Sequence, residues 1–195
     1  MDHFDALTTE LKQKHGPDDI FCGAEVGVYR GHLSRHLLTY FASLRPLYLV
    51  DKWQLVDPNS EYGKCSVCAM QTAHGVRQTK SCALSNIAFA KDRTIILQGD
   101  SVNMASNIDR DSLDFVFLDA DHTYDGLSRD LIAWAPKVKP YGLLCGHDID
   151  SPAEKNWGVR KAVSDWLAET GARIGFVNFR TNIGSTWFLD NLPEG

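Results

Sequence analysis

Ala24-Glu25-Val26-Gly27-Val28-Tyr29-Arg30-Gly31-His32 follows a short apolar run, Ile20-Phe21-Cys22. It leads into Leu33-Ser34-Arg35-His36-Leu37-Leu38, whose apolar residues have helical spacing. A glycine-bearing turn between a strand and a helix is where α/β proteins hold a nucleotide-like cofactor. The dinucleotide version of that turn, Gly-x-Gly-x-x-Gly, leaves phosphates facing bare backbone N–H groups. Here Glu25 stands where the first glycine would be, and Gly27 and Gly31 remain. A carboxylate in that crevice repels a pyrophosphate and favours a cofactor that carries positive charge and no phosphate.

Outward from this turn, short apolar runs alternate with helical patterns, the signature of βαβ units and a mostly parallel sheet. The strands expected are Phe21 to Val26, Leu47 to Val50, Thr94 to Gln98, Leu113 to Leu118 and Gly142 to Gly146. Val159 to Glu169 reads as an amphipathic helix closed by Thr170-Gly171. Arg173 to Phe179 and Ser185 to Leu189 are two further strands with too short a gap for a helix, so they pair antiparallel. The expected fold is α/β: a Rossmann-like doubly wound sheet of seven strands, mostly parallel, with a terminal antiparallel hairpin. Residues 1–195 read as a single domain, with an N-terminal amphipathic helix in residues 1–19 and a lid or insertion over residues 53–93.

Ligands of open α/β sheets bind beyond the carboxyl ends of the strands. Glu25, Asp51, Asp100, Asp119 and Asp148 stand at five such ends. One acid there has an ordinary explanation as a helix cap or turn residue. Five on one rim repel each other unless ligands or donors compensate, so the crevice suits hydroxyls, amines or metal. Asp51 sits where a carboxylate takes both hydroxyls of a ribose. Asp100-Ser101 suits the exocyclic amine of an adenine. An adenosine bearing a cationic amino-acid tail satisfies all of these.

Glu25 to Gly31, Asp51, Gly99-Asp100-Ser101 and Asp114 to Asp119 resemble the cofactor motifs of class I S-adenosylmethionine-dependent methyltransferases. The resemblance spans about Phe21 to Leu189, includes the terminal hairpin, and implies the strand order 3-2-1-4-5-7-6. Asp114 to Tyr124 and Leu143 to Asp148 are similar to a branch of small O-methyltransferases, several acting on sugars and natural products. The resemblance implies S-adenosyl-L-methionine as cofactor, with Glu25 and Gly27 at the methionine end, Asp51 at the ribose, and Asp100 with Ser101 at the adenine. Tyr29, Gly31, Lys52, Gly99, Asp119, Ala120 and His122 complete the expected cofactor crevice. The expected acceptor is a hydroxyl of a small molecule.

Methyl transfer from a sulfonium is an in-line displacement, so the enzyme holds the acceptor oxygen near the methyl and assists loss of its proton. The expected catalytic residues are Asp119, His122 and His147. In one reading a histidine is the general base, since imidazole titrates near neutral pH. In the other a divalent cation binds the acceptor hydroxyl and lowers its pKa. Metal-dependent O-methyltransferases carry an acid after strand four and an acidic pair or Asp-Asn after strand five, which here fall on Asp119, His147 and Asp148. The histidine in the pair is a departure. Mg²⁺ and Ca²⁺ prefer oxygen ligands, whereas a histidine favours Mn²⁺, Fe²⁺ or Zn²⁺. Trp53, Tyr62, Tyr124 and Trp157 are candidate walls of an acceptor pocket, and each is equally at home in ordinary packing.

Within residues 53–93, Ser81 to Lys91 looks helical with Leu84, Ile87, Ala88 and Phe89 on one side. Cys65-Ser-Val-Cys68 with His74 and Cys82 offers four possible zinc ligands, but the spacing matches no standard zinc module. A substrate loop with free thiols is the plainer reading. Lys64, Arg77 and Lys80 could meet an acidic acceptor or form a solvated face.

The net charge of −5 and the pI of about 5.8 give no sign of nucleic acid or an anionic membrane as partner. No apolar run of spanning length occurs, and Met1 to Asp5 lacks the features of a signal peptide. Five scattered cysteines fit reduced thiols in a cytoplasmic protein. The fold is often dimeric, so a homodimer is left open. Two rival classes remain: an NAD-linked oxidoreductase, which should have glycine at position 25 and no hairpin, and a non-enzymatic adenosine-binding protein, which should lack acid–base groups near the methyl.

Overall fold

The computed structural model describes residues 3–65, 72–150, 158–181 and 185–192. Seven strands form one sheet: β1 Phe21–Val26, β2 Leu44–Asp51, β3 Thr94–Gln98, β4 Leu113–Leu118, β5 Val138–Gly146, β6 Phe176–Thr181 and β7 Trp187–Asn191. Their order is β3-β2-β1-β4-β5-β7-β6, with the first five parallel and β7 antiparallel to both β5 and β6. The expected sheet is therefore the observed one. Helices are α1 His3–Lys14, α2 His32–Tyr40, α3 Glu61–Cys65, α4 Ala73–Ile87, α5 Ser101–Ala105, α6 Tyr124–Trp134 and α7 Val159–Glu169.

The central strands are buried on both faces, which is why β4 (Leu-Asp-Phe-Val-Phe-Leu) reads as a nearly unbroken apolar run rather than an alternating one. Val116 and Leu118 join Leu131, Trp134, Val163 and Trp166 in the core under α5, α6 and α7. Phe115 and Phe117 join Leu7, Leu11, Leu37, Leu38 and Ile87 under α1, α2 and α4. Fully burying one such side chain contributes about 1.5–3 kcal/mol. The two faces together fix the sheet and so fix the rim at its carboxyl ends.

Several boundaries differ from the sequence reading. Strands β2 and β5 begin earlier, at Leu44 and Val138, because pairing partners extend them beyond their apolar centres. Gly171–Ile174 forms a 3₁₀ turn ending at Gly175 (φ 96°), and β6 starts only at Phe176. Helix α4 starts eight residues earlier than expected, where Thr72 accepts a hydrogen bond from the Gly75 N–H. Its buried stripe is Thr79, Ala83 and Ile87, while Leu84 and Phe89 are exposed. Those positions recur every four residues, and the chain passes into a 3₁₀ turn, Ala88–Arg93, before Phe89 can follow a helical face. Much of the expected lid is thus scaffold: α4 packs beside α2, and Asn86 Nδ2 donates to the Arg30 carbonyl at 2.9 Å, bracing the glycine turn. Helix α1 lies against the hairpin end, held by Lys14–Asp190 (2.8 Å) and Arg180–Glu10 (2.8 Å) ion pairs. Among the described residues no helix is long and apolar enough to cross a membrane.

Candidate active site

One cleft, with about 1060 Å³ open, runs along the carboxyl ends of β1 to β5. That is the upper end of the range for small-molecule sites and leaves room for a nucleoside cofactor with a second small molecule. Gly27 (φ 97°) makes the rim close: a Cβ there would sit 2.2 Å from the Asp119 carbonyl oxygen, so no other residue fits between the ends of β1 and β4. Gly31 (φ 71°) then opens α2 against Ala83.

Glu25 is 3% exposed and its carboxylate accepts a hydrogen bond from Ser34 Oγ. Burial pushes its pKa up to about 8, with Asp119 and Asp51 repelling the charge and the Ser34 hydroxyl partly offsetting both. Asp51, the last residue of β2, accepts from the Tyr29 N–H at 2.8 Å and the Trp53 N–H at 2.7 Å. Burial raises its pKa against those two bonds. Asp51 therefore ties the glycine turn to β2 and also fixes Trp53, whose φ of 40° and whose Nε1 bond to the Tyr29 carbonyl (2.9 Å) seat the indole beside the turn. Gly99, Asp100 and Ser101 line the cleft after β3. Asp100 accepts from Lys52 Nζ at 2.9 Å and caps α5, and the Lys52 bond lowers its pKa.

Beyond β4 and β5 stands an acid–histidine group. His122 Nε2 lies 3.0 Å from Asp119 Oδ1 and 3.3 Å from Asp148 Oδ2. Asp148 has φ 60°, a left-handed conformation that aspartate tolerates better than most residues and that turns its carboxylate toward His122. Burial opposes charge on this imidazole, but the hydrogen bond and charge of Asp119 and the charge of Asp148 outweigh it, so the His122 pKa rises. Ligand atoms of Asp119, His122 and Asp148 all fall within 4.8 Å of one another. The set expected from sequence was Asp119, His147 and Asp148; here His122 takes the histidine's place. His147 also lines the cleft, with Nδ1 3.3 Å from Asp148 Oδ1.

The remaining sequence candidates divide. Tyr29, Lys52, Trp53, Tyr62, Ala120 and His147 line the cleft. Tyr124 does not: its hydroxyl donates to Asp165 on the outer surface. Trp157 and Cys68 lie outside the described residues. Cys82 accepts a weak bond from Asn86 at 3.7 Å, and His74 and Arg77 are exposed. Lys80 bonds Gln98 and covers the Trp53 ring at 5.8 Å. Sequence reading passed over two residues, Ser34 and Asp130. Both are polar positions on the buried stripe of a helix (Leu33-Ser34-Leu37-Leu38, and Leu127-Asp130-Leu131-Trp134), and a polar group on such a stripe is itself a signal.

A family model described as a methyltransferase domain matches residues 24–149, from within β1 to just past β5. The chain belongs to this methyltransferase family. It is an S-adenosylmethionine-dependent methyltransferase, and the cleft holds the strand ends that the family match covers. A search of curated proteins gave no match. Among solved structures, the methyltransferase resembles the O-methyltransferase NovP (15% identity, 97% of this chain and 77% of that one, TM-score 0.66). It also resembles TomG from Streptomyces achromogenes, an O-methyltransferase of tomaymycin synthesis solved with S-adenosylmethionine (14% identity, 96% and 78% covered, TM-score 0.63). A proposed rRNA methylase from Clostridium thermocellum superposes over 100% of this chain and 99% of its own (10% identity, TM-score 0.65). At these identities the shared property is the fold.

Proposed function

We propose that this methyltransferase moves the methyl group of S-adenosylmethionine to a hydroxyl of a small molecule, with the Asp119–His122–Asp148 group handling the acceptor's proton. The single observation that carries the reading is His122 Nε2 set within 3.3 Å of two carboxylates at the ends of β4 and β5, facing the same cleft as the glycine turn. Glu25 would meet the cofactor's ammonium group and Asp51 its ribose hydroxyls. The acceptor oxygen would then lie between the sulfonium and His122. With Nε2 donating to the carboxylates, Nδ1 would take the acceptor's proton, and the two carboxylates would stabilise the imidazolium that forms. The cleft lining is acidic, with Asp51, Asp57, Asp119, Asp121 and Asp148 against Lys52 and Arg129, which favours an uncharged polyol or phenol over a nucleic acid backbone.

The same three ligand atoms favour a second reading in which a divalent cation sits among them. Two carboxylates and one imidazole fit a borderline metal such as Mn²⁺, Fe²⁺ or Zn²⁺ better than Ca²⁺. Such an ion, when bound, lowers the pKa of an acceptor hydroxyl; Asp119, His122 and Asp148 would hold it. Calorimetry should show S-adenosylhomocysteine binding far more tightly than NAD, and comparable NAD binding would defeat the cofactor placement. Release of S-adenosylhomocysteine in the presence of sugar or phenolic acceptors tests the acceptor class. Activity untouched by EDTA would remove the metal reading and leave the histidine one.

A further inference from the structure

Asp100 was the carboxylate expected at the adenine amine, and in the structure each of its oxygens already accepts one hydrogen bond. One oxygen accepts Lys52 Nζ at 2.9 Å, and the other accepts the Asn103 N–H at the start of α5. A second carboxylate reaches the same corner of the cleft from the opposite side. Asp130, near the middle of α6, is 2% exposed yet lines the cleft beside Gly99 and Ser101. Its Oδ1 accepts a hydrogen bond from Ser101 Oγ, the first residue of α5. Among the described residues nothing donates to its Oδ2. A carboxylate oxygen at the cleft wall without a protein donor can accept a ligand's N–H. An acid inside the apolar stripe of a helix has no packing reason to be there.

We infer that Asp130, rather than Asp100, is the carboxylate that reads the exocyclic amine of the cofactor's adenine, with the Ser101 hydroxyl holding it in position; this rests on the cofactor placement proposed above. The chemistry makes it a specificity element. An adenine amine donates to Oδ2, whereas the carbonyl oxygen that replaces it in hypoxanthine faces a carboxylate lone pair. A site built to pair a substrate N–H rejects the analogue lacking it more strongly than an apolar pocket rejects a size change. Lys52 then has a separate part: by neutralising Asp100 it keeps two carboxylates from repelling each other across the adenine edge.

Calorimetry with S-adenosylhomocysteine and its deaminated analogue, S-inosylhomocysteine, tests this on wild type and on Asp130→Asn. The wild type should prefer the adenine compound by about 10- to 100-fold. In Asp130→Asn, whose amide can donate as well as accept, the preference should shrink to within about threefold. An unchanged preference in that variant overturns the inference. On the wild type alone, the N6,N6-dimethyladenosyl analogue, which has no N–H to give, should bind at least about tenfold more weakly; equal binding overturns the inference with no variant required. Wild type that binds neither nucleoside would instead overturn the cofactor placement itself.

Discussion

Glu25 offers a sharp test, because its burial makes it carry a proton that the unfolded chain does not. Its pKa is about 8 in the folded protein against 4.5 as the ordinary value. The native state therefore binds the proton more tightly. Stability is unaffected below pH 4.5, falls as pH rises from 4.5 to about 8, and is level above that. Each pH unit inside the window costs about 1.4 kcal/mol. Glu25→Gln keeps an amide of the same shape beside Ser34 and cannot ionise. The stability difference between the variant and the wild type should therefore move in the variant's favour by about 3 kcal/mol between pH 5 and pH 7, read by urea unfolding without cofactor. Taking the difference between two proteins cancels the other titrating groups. Cofactor binding adds a second readout. At pH 7 roughly nine-tenths of Glu25 is protonated, and an ammonium group brought to it favours the carboxylate, so binding should release up to about 0.9 proton, measured by calorimetry in buffers of different ionisation enthalpy. Glu25→Gln should lose that release and most of its affinity. Parallel stability curves for the two proteins, together with proton-neutral binding, would refute the reasoning.

Gly27→Ala should abolish cofactor binding and lower stability by about 2–4 kcal/mol in thermal or urea unfolding, since the new Cβ meets the Asp119 carbonyl at 2.2 Å on a backbone with φ 97°. Asp51→Asn should weaken S-adenosylhomocysteine by about 10- to 100-fold in calorimetry, because it removes the charge proposed to meet the ribose hydroxyls and one of the two acceptors that hold the Tyr29 and Trp53 N–H groups. His122→Ala should lower kcat by about 10²- to 10⁴-fold with little change in cofactor affinity. The neighbouring carboxylates hold the His122 proton above the ordinary histidine range, so its stabilising contribution is full below pH 6.5 and lost as pH rises through the raised value; a wild-type stability curve with no such loss relative to His122→Ala would contradict it.

The glycine turn and the strand-end acids were legible because their signals are local. Glu25 in place of a glycine departs from the dinucleotide pattern whatever surrounds it, and a strand–turn–helix pattern needs only neighbouring residues to be recognised. The terminal hairpin was legible for the same reason, a gap of a few residues that admits no helix. Helix α4 was misjudged because its buried stripe depends on α2, which packs against it from fifty residues away. Tyr124 illustrates the opposite error. Its place beside Asp119 and His122 in the chain suggested the cleft, but the first turn of α6 points it outward to Asp165.

Sequence alone determined the alternation of strands and helices, the terminal hairpin and the rim of acids, since each follows from hydrophobic period, turn chemistry or residue identity, while the strand order came with the family resemblance. Tertiary structure decided how those acids are partnered and added one that the sequence reading passed over. Lys52 pairs with Asp100, Ser101 donates to one oxygen of Asp130, and a left-handed turn at Asp148 joins it to Asp119 through His122 rather than through the adjacent His147. Such assignments depend on ångström distances between side chains far apart in the chain, and no spacing along the sequence encodes them.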